Sequence, residues 1–126
     1  YQANNILIQN CTFTFSGTNA ITAYLSSYVN IVKSFFNNTN NNAITFTSWD
    51  YAPMPTDHIL VSEDTIRNTA TLVGMGKKID DQNERCAIYI VGTNSIIEKC
   101  IIDSSGYIPI WWAGLSFLIK NNHQDH

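Results

Sequence analysis

The chain has 126 residues, enough for one domain, with seven Lys and Arg against ten Asp and Glu, a formal charge of -3 and 13% charged residues. That balance excludes the basic footprint of nucleic-acid binding and a charge-rich disordered segment, and no apolar run approaches the ~18 residues of a membrane span. Ile (17), Asn (15) and Thr (12) are abundant while Leu occurs 6 times, a composition of strands and turns.

A repeat orders the elements. Ile6-Leu7-Ile8-Gln9-Asn10-Cys11-Thr12-Phe13 returns 23 residues later as Val29-Asn30-Ile31-Val32-Lys33-Ser34-Phe35-Phe36. Further copies run Ile59, Val61, Asp64, Ile66; then Ser95, Ile97, Cys100, Ile102; then Phe117, Ile119, Asn122. Each reads as a short strand, a turn residue and one more apolar residue. A second strand starts eight residues after that apolar residue, at Ile21, Ile44 and Ile110. The third coil fits once fourteen extra residues are placed within 67–87, which brings Ile88 into line. Another seven lie within 48–57. From Ile88 onward the register is 22, pairing Ile88 with Ile110, Gly92 with Gly114, Ile97 with Ile119 and Cys100 with Asn122.

Two short strands per 22–23 residues, stacked coil on coil, describe an all-β solenoid of about five coils with two loop insertions. Period-2 alternation sends Ile21, Ile44, Ile88 and Ile110 inward, with Ala23, Phe46, Ile90 and Trp112. Thr22, Thr45, Tyr89 and Trp111 face outward. The alternative is a leucine-rich repeat, whose L-x-L-x-x-N/C-x-L pattern fits Ile6, Ile8, Cys11 and Phe13. Scarce Leu, an alternating return segment and corners filled by Asn, Thr and Ser oppose it.

The stretches Gly74-Met75-Gly76, Ala87-Ile88-Tyr89-Ile90-Val91-Gly92, Gly106-Tyr107-Ile108-Pro109-Ile110 and Leu118-Ile119-Lys120-Asn121-Asn122 resemble the right-handed parallel β-helix of the pectate-lyase-like group, especially repeat proteins secreted by bacteria. The resemblance implies a secreted or cell-surface protein that engages polysaccharide, with a polysaccharide lyase or glycoside hydrolase as parent activity. A non-catalytic structural or adhesive module is the alternative, since fold does not choose function. Residues 1–126 read as a single segment of a longer solenoid, because neither end carries a polar cap. Flanking coils or another domain are therefore expected partners.

Four sets of residues are candidates for chemistry. Tyr89 and Trp111 share an outward column, and Trp49 and Tyr51 lie in the shorter insertion; exposed aromatics of this kind stack on sugar faces or are covered by a loop. The longer insertion carries Lys77, Lys78, Asp80, Asp81, Glu84 and Arg85. A lyase needs a base and a cation to neutralise a uronate carboxylate, for which Lys77, Lys78 or Arg85 would serve. Asp80, Asp81 and Glu84 would then bind Ca²⁺ through oxygen ligands. A glycosidase instead needs two facing carboxylates ~5–9.5 Å apart. The bland reading is a solvated loop tip.

Lys33, Glu63 and Lys99 form a third set, with Glu98 and Lys120 beside them. They read as exposed cross-strand ion pairs worth a few tenths of a kcal/mol. The fourth set is the turn column Cys11, Ser34, Asp64, Cys100 and Asn122, a polar ladder in which Asn122 alone keeps the amide. Three Cys without CxxC spacing read as buried free thiols. His58 reads as a surface residue at a strand entrance. Leu7, Leu60, Ile96 and Leu118 make an apolar outward stripe interrupted by Asn30, which points to cover by other protein.

Overall fold

The computed structural model describes residues 4–47, 56–71, 85–106 and 108–125. Strands run in chain order as β1 (Asn4–Gln9), β2 (Thr12–Thr14), β3 (Ile21–Tyr24), β4 (Ser27–Val32), β5 (Phe35–Thr39), β6 (Ile44–Thr47) and β7 (Thr56–Ser62). They continue as β8 (Thr65–Thr69), β9 (Cys86–Thr93), β10 (Ile96–Glu98), β11 (Ile101–Ser105), β12 (Ile108–Leu115), β13 (Leu118–Lys120) and β14 (His123–Asp125). Every strand pairing is parallel, which requires the chain to travel around before each strand meets its partner. The result is an all-β solenoid. Among the described residues no helix is long and apolar enough to cross a membrane.

Each full coil contributes three strands where the repeat predicts two. The apolar residue after the turn (Phe13, Phe36, Ile66, Ile102) lies on a strand of its own, and β14-β11-β8-β5-β2 form a separate five-stranded sheet. The other two strands of each coil belong to one nine-stranded sheet. The extra strand escaped the pattern because only one apolar residue in each copy is fixed in the core column, the other buried residue of β5 and β8 being a Thr (Thr39, Thr69). The return segments β3, β6, β9 and β12 are strands, so the leucine-rich alternative, with its helical or turn return, is set aside.

The predicted registers are those observed: Ile21↔Ile44, Ile44↔Ile88, Ile88↔Ile110, Gly92↔Gly114 and Ile97↔Ile119. Phe46 pairs Ile90 while Thr56 pairs Gly92, so the chain between Phe46 and Thr56 holds eight positions more than β9. Inward columns close into one core of Val29, Ile31, Phe36, Ile44, Phe46, Ile59, Val61, Ile66, Ile88, Ile90, Ile97 and Ile102, each at most 3% exposed. Full burial of each such side chain contributes about 1.5–3 kcal/mol. Trp112 stacks inward above Ile90 but remains 49% exposed, because β12 pairs β9 alone. It packs against Phe117 at 5.3 Å.

Corners are built from left-handed residues. Asn10, Lys33, Glu63, Lys99 and Asn121, one per coil, have φ between 52 and 57°. The residue after each is the turn column, and its side chain accepts the N–H of the preceding coil. Ser34 Oγ takes Cys11 N–H at 3.2 Å, Asp64 Oδ1 takes Ser34 N–H at 2.7 Å and Asn122 Oδ1 takes Cys100 N–H at 2.9 Å. A backbone hydrogen bond from Asp64 reaches the Cys100 sulfur. The ladder thus continues through every described coil although four of its five members are not Asn. Any acceptor that reaches one rung satisfies the buried N–H. A second amide ladder runs the other way, with Asn19 Oδ1 taking Asn42 N–H at 3.1 Å and Asn42 Oδ1 taking Cys86 N–H at 2.9 Å.

The three thiols are free. Burial pushes the Cys86 thiol up to about 11 and that of Cys100 up to about 12, so neither supplies thiolate at neutral pH.

Coils approach most closely where side chains are missing. A Cβ on Gly92 would overlap the Thr56 carbonyl oxygen, whereas one on Gly17 would meet nothing within 4 Å. Gly92→Ala is therefore expected to cost about 1–3 kcal/mol, as overpacking does, while Gly17→Ala stays near neutral. Urea unfolding midpoints measure both, and equal midpoints would show that the coils part without cost at β9.

Candidate functional site

The aromatic pair predicted from the repeat forms. Tyr89 and Trp111 are register partners on β9 and β12 and stack at 4.6 Å with planes 16° apart. Both are half-buried, and Thr45, next in the column, is buried although it points outward. Asn42 Nδ2 donates to the Thr45 hydroxyl at 3.1 Å. A stacked aromatic pair contributes about 0.5–1.5 kcal/mol beyond its burial, so this contact has a structural role of its own. Arg85 sits half-buried immediately before β9. Trp49, Tyr51, Lys77, Lys78, Asp80, Asp81 and Glu84 lie outside the described residues, and so does the Ca²⁺ ligand set. Among the described residues no three His, Cys, Asp or Glu side chains converge as a metal site.

The charged column behaves as surface ion pairs. Lys33 Nζ stands 3.9 Å from Glu63 and Lys120 Nζ 3.1 Å from Glu98. Hydrogen bonding from Lys120 holds the Glu98 carboxyl below the usual range.

A cleft lies elsewhere, on the side formed by β1, β4, β7 and β10. It has a volume of about 510 Å³ and is lined by Asn5, Ile6, Leu7, Tyr28, Asn30, His58, Ile59, Leu60, Asn94 and Ile96. The apolar outward stripe is one wall. Asn5, Tyr28, His58, Asn94 and Ser116 stand in one left-handed column, with φ between 49 and 58°. Asn and His are enriched in that conformation, whereas a bulky residue such as Tyr28 occupies it at a cost.

Left-handed backbone at His58 changes what its neighbours can do. Strict alternation would send Asp57 and His58 to opposite faces; with φ of 52° the His58 Nδ1 instead meets Asp57 Oδ2 at 2.5 Å. The other carboxylate oxygen, Oδ1, accepts Thr93 Oγ1 at 2.8 Å and Asn94 Nδ2 at 2.9 Å. Burial alone would raise the Asp57 pKa, but the hydrogen bonds from Asn94, His58 and Thr93 outweigh it and hold the carboxyl below its ordinary value. Tyr28 stacks on the imidazole at 4.7 Å, tilted 18°.

From the sequence His58 reads as a surface residue at a strand entrance, and the structure places it in this cluster. The signal that would have found the cluster was the register itself, since the spacings that align Val29, Ile59 and Ser95 also align Tyr28, His58 and Asn94. Assuming unbroken alternation hid the Asp57 contact. No protein-family model, curated protein or solved structure matches this chain.

Proposed function

We propose that this chain is a polysaccharide-binding segment of a right-handed parallel β-helix of the pectate-lyase-like kind, and that the glycan lies in the cleft across β1, β4, β7 and β10. The observation that carries this is the mixture lining the cleft. Asn5, Asn30 and Asn94 offer amide donors and acceptors for sugar hydroxyls. Leu7, Leu60 and Ile96 offer apolar surface for C–H faces, and Tyr28, 54% exposed, lines the same cleft. Among the described residues no Lys, Arg, Asp or Glu lines it, which suits a neutral glycan better than a uronate. Polymers of this class are met outside the cell or on its surface, so the proposal places the protein there. The structural-module reading is supported by the Tyr89–Trp111 stack, whose rings hold two coils together.

The test is affinity electrophoresis against neutral and acidic polysaccharides. Tyr28→Ala is expected to weaken retention by a neutral glycan about tenfold, roughly 1.4 kcal/mol, and Trp111→Ala to change it little. The reverse ranking would move the groove to the Tyr89 face. Absence of retention by every polysaccharide would leave the structural module.

A further inference from the structure

We propose that Asp57 and His58 make this cleft a general-base site that hydrolyses acyl esters carried by the bound glycan, an inference that rests on the glycan reading above. The carboxylate takes hydrogen bonds from three side chains, His58, Thr93 and Asn94, and cannot turn away. Hydrogen bonding to Oδ2 places the imidazole proton on Nδ1 and the lone pair on Nε2. Nε2 has no hydrogen-bond partner among the described residues, and the His58 side chain is 46% exposed on the cleft wall. Tyr28 fixes the ring plane from the adjacent coil.

The lining chooses among reactions. Splitting a glycosidic bond by the usual route takes two carboxylates flanking it, and Asp57 is engaged behind His58. Uronate elimination takes a cation beside the carboxylate, and none lines the cleft among the described residues. An acyl ester asks for less. His58 Nε2 takes a proton from water as the water oxygen bonds to the acyl carbon, and the carbonyl electron pair moves onto its oxygen, in a cleft whose lining includes the amides of Asn5, Asn30 and Asn94. The intermediate then collapses and the bond from acyl carbon to sugar oxygen breaks. The departing oxygen takes the proton back from Nε2, so ester and water become acid and alcohol. Among the described residues no Ser, Thr or Cys lines the cleft, so the attack is assigned to water. Leu7, Leu60 and Ile96 give the acyl methyl an apolar seat.

Acetate release from O-acetylated xylan, with 4-nitrophenyl acetate as a small probe, tests the inference. His58→Asn is the variant of choice, because Asn already occupies the same left-handed column at Asn5 and Asn94 and cannot act as a base. It is expected to lower kcat/KM about 10²–10⁴-fold while the xylan is still retained in the affinity gel and the melting curve is kept. Asp57→Asn, a positioning change, is expected to lower kcat with KM unmoved. Release no faster than the protein-free blank, or equal in wild type and His58→Asn, overturns the inference. If the xylan is then still retained through Tyr28, the binding reading survives; if retention is also missing, both fail.

Discussion

Asparagine at position 64 is expected to stabilise the protein at pH 8 and to change it little at pH 4. Asp64 is fully buried in the turn ladder, its Oδ1 accepts Ser34 N–H, and its Oδ2 has no hydrogen-bond partner among the described residues. Burial pushes this carboxyl up to about 7, the Ser34 and Ser62 N–H groups oppose the rise and neighbouring Glu63 adds to it. A group whose native pKa lies above its unfolded value of 3.8 binds its proton more tightly when folded. Its contribution is therefore complete below pH 3.8, falls as pH rises, and is gone above about 7. The difference corresponds to about 4 kcal/mol at most. The rung at Asn122 shows what an amide does in this ladder: Oδ1 takes the Cys100 N–H and Nδ2 donates to the Ile97 carbonyl at 3.1 Å. Asp64→Asn keeps the acceptor, supplies a donor to the orphaned side and removes the charge. Urea unfolding of both proteins at pH 4, 6 and 8 measures it. The difference between them should grow with pH across that window, whereas Asp57 and Glu98, whose carboxyls are held low, lose their contributions only as the medium turns acidic. A variant less stable than wild type at pH 8 would show that the anion itself is needed.

Phe36→Ala should lower the unfolding free energy by about 3–5 kcal/mol, the range for emptying a buried Phe site. Phe36 is fully buried, stacks on Phe13 at 4.9 Å with planes 5° apart, and pairs in register with Phe13 on one side and Ile66 on the other. Its loss takes contacts from two interfaces between coils, and in a stacked fold those nearest-neighbour interfaces carry the stability. Phe15, two residues beyond Phe13 and 78% exposed, is the matched control; Phe15→Ala should stay within about 0.5 kcal/mol. Similar losses at both positions would mean that the inward column does not hold the coils together.

The repeat was readable because stacking forces it. A residue that must sit on its counterpart one coil earlier inherits the same burial and therefore the same chemistry, which is why Ile21, Ile44, Ile88 and Ile110 announce their alignment. The third strand was not readable, since Phe13, Phe36, Ile66 and Ile102 are each a single apolar inward residue with no hydrophobic alternation around it. Ladder continuity was not readable either. Ser34, Asp64 and Asn122 look unlike one another, but each brings an oxygen to the same backbone N–H. The aromatic pair Tyr89–Trp111 followed from register alone and formed as expected, while its environment, with Thr45 buried beside it, needed coordinates.

What the amino-acid order by itself determined, then, is the vertical arrangement: which residues stack, which face inward, and that all strands run parallel. Burial repeats at each turn of the chain and leaves a periodic trace in composition. Only the tertiary structure decided where polar groups converge. Asp57 and His58 share a face because one left-handed residue breaks the alternation, and Thr93 and Asn94 reach the same carboxylate from a different coil. Such a convergence depends on a local backbone angle and on distance in space, neither of which leaves a period to read.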